Sequence, residues 1–376
     1  MIPANPAALT IQRLAFRRFR NLASVAIEPG PQFNVVFGDN GAGKSNLLEG
    51  IQYLGSLKSF RGGKRTDLVQ LGEEDSLIRA QIESGGIQRT LGIKIGARET
   101  RRLTIDDKRP RSLSAWRQAI QTVMFHPGHL KLTTGGAEAR RSFLDSILSS
   151  TDPIYDRALS DYGKALRSRN RLLKSEGVDP RSIRAYDEIL ALRGEIIGNA
   201  RDGLIHRLTP HVVSAFAHII GDDIPLSLSY EPRVEPHADA IREALKKSFS
   251  KDRARGFTAE GPHADDLAVQ MRSVNTRYHA SQGQHRVCAL ALKVAELHCV
   301  SSSTGQVPIL LLDDVSSELD RTRNRALFAL LGDLGGQIFL TTTHPEFILL
   351  EDRRHDFHVR SGTVALSPST KPSERE

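Results

Sequence analysis

The first forty residues alternate between apolar and polar positions, which is typical of strands with one buried face. The alternation runs from Ile11 to Ile27 and breaks at Arg20-Asn21 and again at Pro29-Gly30-Pro31. A mostly apolar run, Phe33-Asn34-Val35-Val36-Phe37, follows. This region is therefore predicted to form two or three strands, the last of them buried on both faces.

A second set of strands is predicted downstream. Ser76 to Ile82 and Ile87 to Ile95 flank a Gly85-Gly86 turn, which indicates a hairpin, and Arg101 to Ile105 predicts a third strand. Gln121 to Phe125 predicts a further buried strand. Several arginines lie on or beside the first strands, where they either face solvent or contact a nucleotide or DNA: Arg13, Arg17, Arg18 and Arg20.

From Arg140 to about Leu208 the apolar spacing becomes that of helices. Strands are predicted again at Pro225 to Tyr230 and at Leu267 to Met271, with a loose, charged segment around Ser250 to Gly256. Beyond Arg360 the chain is polar and rich in Ser and Pro, so residues 361–376 are predicted to be a disordered tail.

Within the helical region, four cations recur at positions that share one helix face. The pattern is typical of a solvated surface, and its length also makes it the best candidate for a DNA contact. These DNA-binding candidates are Lys164, Arg167, Arg171 and Lys174.

The chain has 376 residues, of which 39% are hydrophobic, enough for two lobes. Its net charge of +8 and pI near 9.6 suit an anionic partner such as nucleic acid. The two cysteines, Cys288 and Cys299, do not form a disulfide framework. The start lacks signal-peptide features, and no apolar run approaches the ~18 residues needed to cross a bilayer. We therefore expect a cytoplasmic protein with no membrane association.

The buried strand ending at Phe37 leads into Gly38-Asp39-Asn40-Gly41-Ala42-Gly43-Lys44-Ser45. This is the G-x-x-x-x-G-K-[ST] phosphate-binding loop. Its backbone N–H groups can surround a polyphosphate, Lys44 supplies charge to the terminal phosphates, and the Ser45 hydroxyl can bind Mg²⁺. The helix that follows points its positive end at the same phosphates. The motif predicts a site for ATP with Mg²⁺.

A second apolar run, Val307 to Leu312, ends in the paired acids Asp313 and Asp314. Paired acids at the carboxyl edge of a parallel sheet suit a Mg²⁺ site better than a helix cap, given the phosphate loop upstream. Asp313 is predicted to hold the metal, directly or through water. Asp314 is predicted to orient or deprotonate the attacking water.

Further stretches resemble parts of ABC-type ATPases. Ser281-Gln282-Gly283-Gln284 lies directly before an amphipathic helix and is similar to the ABC signature, which in that class closes over the γ-phosphate of a second protomer. Ser316-Ser317-Glu318-Leu319-Asp320 resembles the D-loop. A strand from Gln337 to Thr343 ends at His344, which is similar to the switch histidine.

Together these stretches resemble the ATPase heads of the SMC/Rad50 superfamily, and more narrowly the RecF family of bacterial recombination mediators. The narrower likeness rests on Phe19-Arg20-Asn21-Leu22, on residues 136–145 with their Arg-Arg-x-Phe-Leu-Asp pattern, and on residues 261–267. Ala137 and Ala264 depart from the family, which often has proline and arginine there. Within the last segment a structured turn is expected rather than a metal site formed by His263, Asp265 and Asp266.

The resemblance implies an α/β fold, an ABC-type ATPase head with a phosphate-loop mixed sheet, an antiparallel β-rich part and an inserted helical lobe. Residues 1–128 and 265–360 would form the ATPase lobe. Residues 129–264 would form the helical lobe, with the signature at 281–284 at its junction. Nucleotide contacts would come from residues 38–45, Ser281, Gly283, Gln284 and Asp320, and catalytic groups from Lys44, Asp314 and His344.

The resemblance further implies that ATP drives homodimerisation, because one chain holds one phosphate loop and one signature. The expected function is ATP-dependent binding of gapped or single-strand/double-strand junction DNA in repair and replication restart, with RecR and RecO as partners in loading RecA and in the SOS response. Asp314 is one methylene shorter than the glutamate of the wider class, which predicts slow hydrolysis. The alternatives are a Rad50/SMC-like chromosome-maintenance head, an ABC transporter subunit, and a binding module in which ATP is only structural.

Overall fold

The computed structural model describes residues 7–96, 101–177, 180–221, 224–315, 319–348, 350 and 354–367. Ser316-Ser317-Glu318 of the D-loop-like stretch lie outside the described residues, as do the start of the chain and residues 368–376.

Fifteen strands occur within these residues: β1 (Ala7–Phe19), β2 (Leu22–Ile27), β3 (Phe33–Phe37), β4 (Asp75–Ser84), β5 (Ile87–Gly96), β6 (Arg101–Ile105), β7 (Thr122–Phe125), β8 (Leu226–Glu231), β9 (Asp266–Met271), β10 (Val274–Asn275), β11 (Gln306–Val307), β12 (Ile309–Asp313), β13 (Ile338–Thr342), β14 (Arg354–Arg360) and β15 (Thr363–Ser367). The strands predicted from the alternation before Phe37, the predicted hairpin and the strand before Asp314 are confirmed.

Ten α-helices occur in the same part of the chain: α1 (Lys44–Ser56), α2 (Leu113–Ala119), α3 (Lys131–Thr134), α4 (Ala137–Thr151), α5 (Pro153–Leu173), α6 (Pro180–Ile220), α7 (Ala238–Arg255), α8 (Thr276–His279), α9 (Gln282–Thr304) and α10 (Arg321–Asp333). None of the described helices is long and apolar enough to cross a bilayer.

The chain divides into two units. Unit 1 contains residues 1–129, 215–222 and 290–376, and unit 2 contains residues 130–214 and 223–289. The first boundary lies one residue beyond the predicted one, at 128. The second lies inside α9, whereas the sequence predicted it at 264.

Unit 1 contains a mixed sheet with the strand order β15-β14-β3-β13-β12-β7, in which only β15 runs antiparallel to its neighbour. The register pairs Thr342 with Phe37, Asp313 with Thr341, and Leu312 with Phe125. The carboxyl ends of β3, β13, β12 and β7 therefore lie along one edge of the sheet. Since β3 leads into α1, this edge carries the candidate chemistry.

The other sheet of unit 1 is antiparallel, in the order β11-β1-β4-β5-β6 with β2 paired to β1, although β11 itself is parallel to β1. Every second residue of β4 is buried, as the sequence alternation predicts. One hydrophobic core joins both sheets and α1, with Phe16, Leu48 and Phe339 among its members. Trp116 is also fully buried there, and its Nε1 donates to Leu54 O at 2.8 Å.

Unit 2 holds α4, α5, α7 and most of α6, together with a three-stranded sheet in the order β10-β9-β8. Buried arginines tie its elements together. Arg140 forms two 2.7 Å hydrogen bonds to Asp266, and Arg201 donates to Asp145 and to Pro262 O. Ion pairs therefore join the Arg-Arg-x-Phe-Leu-Asp segment to residues 261–267.

The turn at residues 261–267 is structured, as expected. His263 Nδ1 lies 2.7 Å from Tyr162 Oη, and its Nε2 lies 2.9 Å from Thr258 O. Asp265 accepts from the Tyr230 hydroxyl and from Arg233 N. These side chains are engaged within the fold and do not converge on a metal.

Two predictions are wrong. The segment around Ser250 to Gly256 is the last part of helix α7, whose buried positions Ile241, Leu245, Ser248 and Asp252 recur at helical spacing. Residues 363–367 are not disordered, because β15 pairs along its whole length with β14. In both places the polar composition outweighed the periodicity in the sequence interpretation, although tertiary pairing decides the structure.

Candidate nucleotide-binding site

The phosphate loop lies at the carboxyl end of β3 and leads into α1. Ala42 N donates to Asp39 O at 3.2 Å, and α1 begins with Gly43 as its N-cap. The Lys44 ammonium donates to Gly38 O at 2.7 Å and to Asp39 O at 3.0 Å, so it closes the loop on itself. Lys44 is thereby held at the mouth of the loop, in reach of an anion bound there.

Two glycines of this loop are required by its geometry. Gly38 has φ 148° and lies so close to β14 that an added Cβ would be 2.2 Å from Val359 O. Gly43 has φ 121°, and its Cβ would be 2.8 Å from Asn21 Oδ1. Side chains rarely adopt such angles, and here there is no space for one.

Asn21 braces the loop from the β1–β2 turn. Its Nδ2 donates to Ala42 O at 3.1 Å, and its Oδ1 accepts from Asn46 Nδ2 at 2.7 Å. Gly362 N also donates to Ala42 O, at 2.9 Å. The asparagine of the Phe19–Leu22 segment therefore fixes the phosphate loop, a role that the sequence alone did not indicate.

Arg20, next to Asn21, binds the helix that follows the loop. Its guanidinium donates to the two oxygens of Glu49 at 3.0 and 2.7 Å, and the Ser59 hydroxyl donates to the same carboxylate. The Glu49 side chain is fully buried, whereas that of Arg20 is 20% exposed. Of the two interpretations that the sequence left open for Arg20, the structure shows neither a freely solvated side chain nor a free one, but an internal ion pair.

The paired acids follow β12, at the same edge of the sheet. The Thr341 hydroxyl donates to Asp313 Oδ1 at 2.8 Å and accepts from Asp314 N at 3.0 Å. Asp314 has φ 53°, a left-handed conformation that aspartate tolerates better than most residues. Thr341 therefore orients one carboxylate and the backbone of the other.

The acids and the loop lysine share one electrostatic environment. Burial lowers the pKa of the Lys44 ammonium, whereas the charges of Asp314, Asp313 and Asp39 act in the opposite direction. Since such influence falls with distance, the three carboxylates lie around the lysine. The structure thus brings together the residues that the sequence predicted to hold phosphate and metal.

These residues suit Mg²⁺. Within the described residues no three His, Cys, Asp or Glu side chains form a metal cage. A Mg²⁺ ion in a phosphate loop does not need one, because one or two protein oxygens, substrate phosphates and waters complete its shell. The half-buried Ser45 hydroxyl and the Asp313 carboxylate supply such hard oxygen ligands.

His344 follows β13, between the strands that carry the loop and the acids. Its side chain is 57% exposed, and its Nδ1 lies 3.1 Å from Glu346 Oε1. Its backbone N donates to Thr342 Oγ1 at 3.0 Å. The histidine is therefore placed at the functional edge with its ring open to solvent.

The signature-like stretch begins α9, in unit 2. Ser281 Oγ accepts from Gln284 N at 3.2 Å, and Gln284 Oε1 accepts from Ser281 N at 2.8 Å, which is a reciprocal capping box. Ser281 and Gln282 are exposed. This end of a 23-residue helix faces solvent and offers unpaired N–H groups.

Asp320 caps α10 in the same manner, since its Oδ1 accepts from Arg323 N at 2.9 Å. Its side chain is 55% exposed. The predicted nucleotide contact at Asp320 thus has a structural role within the chain. Elsewhere, in unit 2, the predicted DNA-contact face of α5 is solvent-exposed at Lys164, Arg167, Arg171 and Lys174.

A histidine pair next to β12 was missed in the sequence. His126 and His129 follow β7, their ring centroids are 4.0 Å apart, and Phe60 lies 5.0 Å from His126. Gly128 N donates to His126 Nδ1 at 3.1 Å, so the proton of the neutral ring is on Nε2. The signal was the position of His126 after a buried strand, which the sequence interpretation used only as a strand stop.

Burial lowers the pKa of His126 to about 4, and the Lys293 charge adds to this effect while Asp313 opposes it. Burial likewise lowers the pKa of His129 far below its ordinary value. Both rings are therefore neutral hydrogen-bond donors at neutral pH, and His126 lies within electrostatic reach of Asp313.

Together, the phosphate loop, the acids after a parallel strand and the two sheets define a P-loop protein of the SMC head type. A family model described as the RecF/RecN/SMC N terminal domain matches residues 10–362. The structure also resembles the Smc head domain of Pyrococcus furiosus, with a TM-score of 0.58 over 96% of each chain at 14% identity, which shows the fold alone.

Closer similarity is found to proteins called DNA replication and repair protein RecF. That of Myxococcus xanthus (strain DK1622) is 36% identical over 368 residues, covering 94% of this chain and 96% of that protein. That of Anaeromyxobacter sp. (strain Fw109-5) is 38% identical over 344 residues, covering 89% and 92%. A solved structure titled as the recombination mediator protein RecF-ATP in the RecFOR pathway has a TM-score of 0.87 at 29% identity, covering 97% and 100%. The chain belongs to the RecF family.

Proposed function

We propose that this chain is an ATP-dependent DNA-binding protein of recombinational repair and replication restart, in which ATP joins two copies into a clamp on DNA. The observation that carries the proposal is the pair of half-sites on one chain. The phosphate loop with Asp313 and Asp314 is preassembled in unit 1, and the exposed N-terminus of α9 with Ser281 is preassembled in unit 2.

In the proposed mechanism, the triphosphate enters the loop and replaces Gly38 O and Asp39 O as the partner of Lys44. Mg²⁺, held by Ser45 and Asp313, neutralises charge on the terminal phosphates. Ser281 and Gly283 of a second copy then close over the γ-phosphate from a helix N-terminus. The solved relative whose title names ATP supports the choice of nucleotide.

Hydrolysis then proceeds through the chain's own side chains. Asp314 orients or deprotonates the attacking water, and His344 senses the γ-phosphate from the neighbouring strand. An aspartate reaches less far than a glutamate, and a base displaced by about 1 Å can lose on the order of 100-fold in rate. We therefore propose a weak ATPase that acts as a timer for the clamp.

ATP binding at the interface stabilises the dimer by mass action. Closure would align two helical units with their basic faces, so binding of gapped or junction DNA would weaken steeply with salt. The family names support RecR and RecO as partners and recombinase loading as the outcome. This places the chain in the response to DNA damage.

Gel filtration with and without ATP tests the proposal. Wild type should elute as a dimer only with ATP, whereas Lys44→Ala and Ser281→Arg should remain monomeric, because one loses phosphate charge and the other fills the signature. A wild type that stays monomeric at saturating ATP would contradict the clamp. Binding to gapped, duplex and single-stranded DNA over a salt range, with and without ATP, then identifies the preferred substrate.

A further inference from the structure

Helices α5 and α7 of unit 2 end side by side. The buried Arg169 of α5 donates to Asp252 of α7 at 2.8 Å, and Thr258, just beyond α7, donates through N and Oγ1 to Asn170 at 2.8 and 2.7 Å. Gly256 ends α7 in a left-handed conformation, and a Cβ there would lie 3.1 Å from the Lys174 side chain. The two helix ends therefore form one continuous surface, which we call the α5–α7 end.

This surface carries cations that have no acidic partner. Most other exposed arginines of the chain form ion pairs, for example Arg13 with Glu28 and Arg242 with Glu188. Among the described residues, no ion pair is formed by the exposed cations of the α5–α7 end, which are Arg167, Arg171, Lys174, Lys251, Arg253 and Arg255. The two carboxylates nearest to them, Asp187 and Asp252, are already bound by Arg169.

Complementing the helix dipole accounts for a cation or so at each helix end, and not for six. An aromatic ring lies among them. Phe257 directly follows Gly256 and is 49% exposed, although its neighbour Thr258 is buried. A half-exposed phenyl ring beside unpaired cations is the combination that binds single-stranded nucleic acid, because bases stack on the ring while phosphates contact the cations.

We propose that the α5–α7 end binds single-stranded DNA, with Phe257 stacking on a base. A duplex would use the cations but would leave the ring without a partner, since its bases are already stacked. Arg169 acts as a positioning residue, because it holds α5 and α7 together without facing the ligand. The inference rests on the proposed DNA-binding function and assigns its single-strand contact.

The test is fluorescence anisotropy with an oligo-dT and a duplex of equal length, at several salt concentrations. Phe257→Ala should weaken binding of oligo-dT about tenfold or more and leave duplex binding nearly unchanged. A triple variant, Arg171→Ala with Lys251→Ala and Arg253→Ala, should lower the slope of log K against log salt by about 2 for oligo-dT. Ile154→Ala on α5, which is 70% exposed, and Arg79→Ala on β4 are the matched controls and should bind as wild type does.

ATP-dependent dimerisation, measured on the same samples, shows that each variant is folded. If wild type binds DNA and Phe257→Ala binds oligo-dT equally well, the inference is wrong while the proposed function stands. Equal losses on duplex and oligo-dT would overturn the single-strand assignment. Competition by poly-glutamate as strong as by oligo-dT would make the surface a site for an acidic protein instead. Failure of wild type to bind any DNA would overturn both proposals.

Discussion

The ion pair between Arg20 and Glu49 predicts a large effect of removing the arginine. Arg20→Ala would leave the Glu49 carboxylate in a fully buried position with only the Ser59 hydroxyl as a side-chain donor. Breaking a buried pair on one side costs about 3–5 kcal/mol. Since Arg20 is 20% exposed, water can partly replace it, so we expect a loss near the lower limit, about 3 kcal/mol of unfolding free energy.

Urea unfolding of wild type, Arg20→Ala, Glu49→Met and the double variant measures this cost. The double variant should regain most of the loss, because it has no unpaired buried charge and methionine preserves volume. The cycle should give a coupling of at least about 1.5 kcal/mol. ATP affinity should also return in the double variant, since Asn21 and the phosphate loop are then supported by a packed helix.

The alternative interpretation of Arg20 as a ligand contact gives the opposite pattern. If Arg20→Ala unfolds at the wild-type urea concentration but binds ATP or DNA weakly, and Glu49→Met does not restore that binding, the arginine contacts the ligand and the structural argument is refuted.

Three further predictions follow from the site. Asp314→Asn keeps a residue that tolerates φ 53° but removes the base, so hydrolysis should fall at least 100-fold while ATP-dependent dimerisation persists; a dimer that fails to form would contradict this role. Gly38→Ala should abolish ATP binding because its Cβ would lie 2.2 Å from Val359 O, whereas Gly41→Ala, with nothing within 4 Å, should retain it at a strain cost of about 1 kcal/mol; equal affinities of the two in calorimetry would refute the steric argument. His126 has a folded pKa of about 4, below the unfolded value of about 6.5, so the unfolded chain binds the extra proton between these pH values and stability should fall by on the order of 3 kcal/mol as pH drops from about 6.5 to 4. His126→Asn should flatten this part of the unfolding profile, and an unchanged profile would exclude His126 as its source.

Local patterns predicted much of the functional edge. The apolar run before Gly38 and the run before Asp313 each specify a buried parallel strand, and parallel strands place their carboxyl ends together. The family resemblance added the helical unit and the signature. In the signature, the Ser281 and Gln284 spacing also carries a capping box that is visible in the sequence.

Long-range contacts could not be predicted in this way. Nothing local connects Asn21 to Ala42 or Gly362 to the same carbonyl, because these partners come together only through the sheet register. The charged end of α7 was interpreted as loose because its apolar positions are few and its buried Asp252 is polar. Its pairing with Arg169 is visible only in the fold, and so is the surface that the two helices share.

The central claim is that each nucleotide lies between two copies, with Lys44 from one and Ser281 from the other. Mixing Lys44→Ala with Ser281→Arg tests it most directly, because their heterodimer would contain one site with both residues intact. The account predicts ATP hydrolysis and ATP-dependent dimers in the mixture that neither variant shows alone. A mixture as inactive as its components would mean that Lys44 and Ser281 do not complete a shared site across two chains.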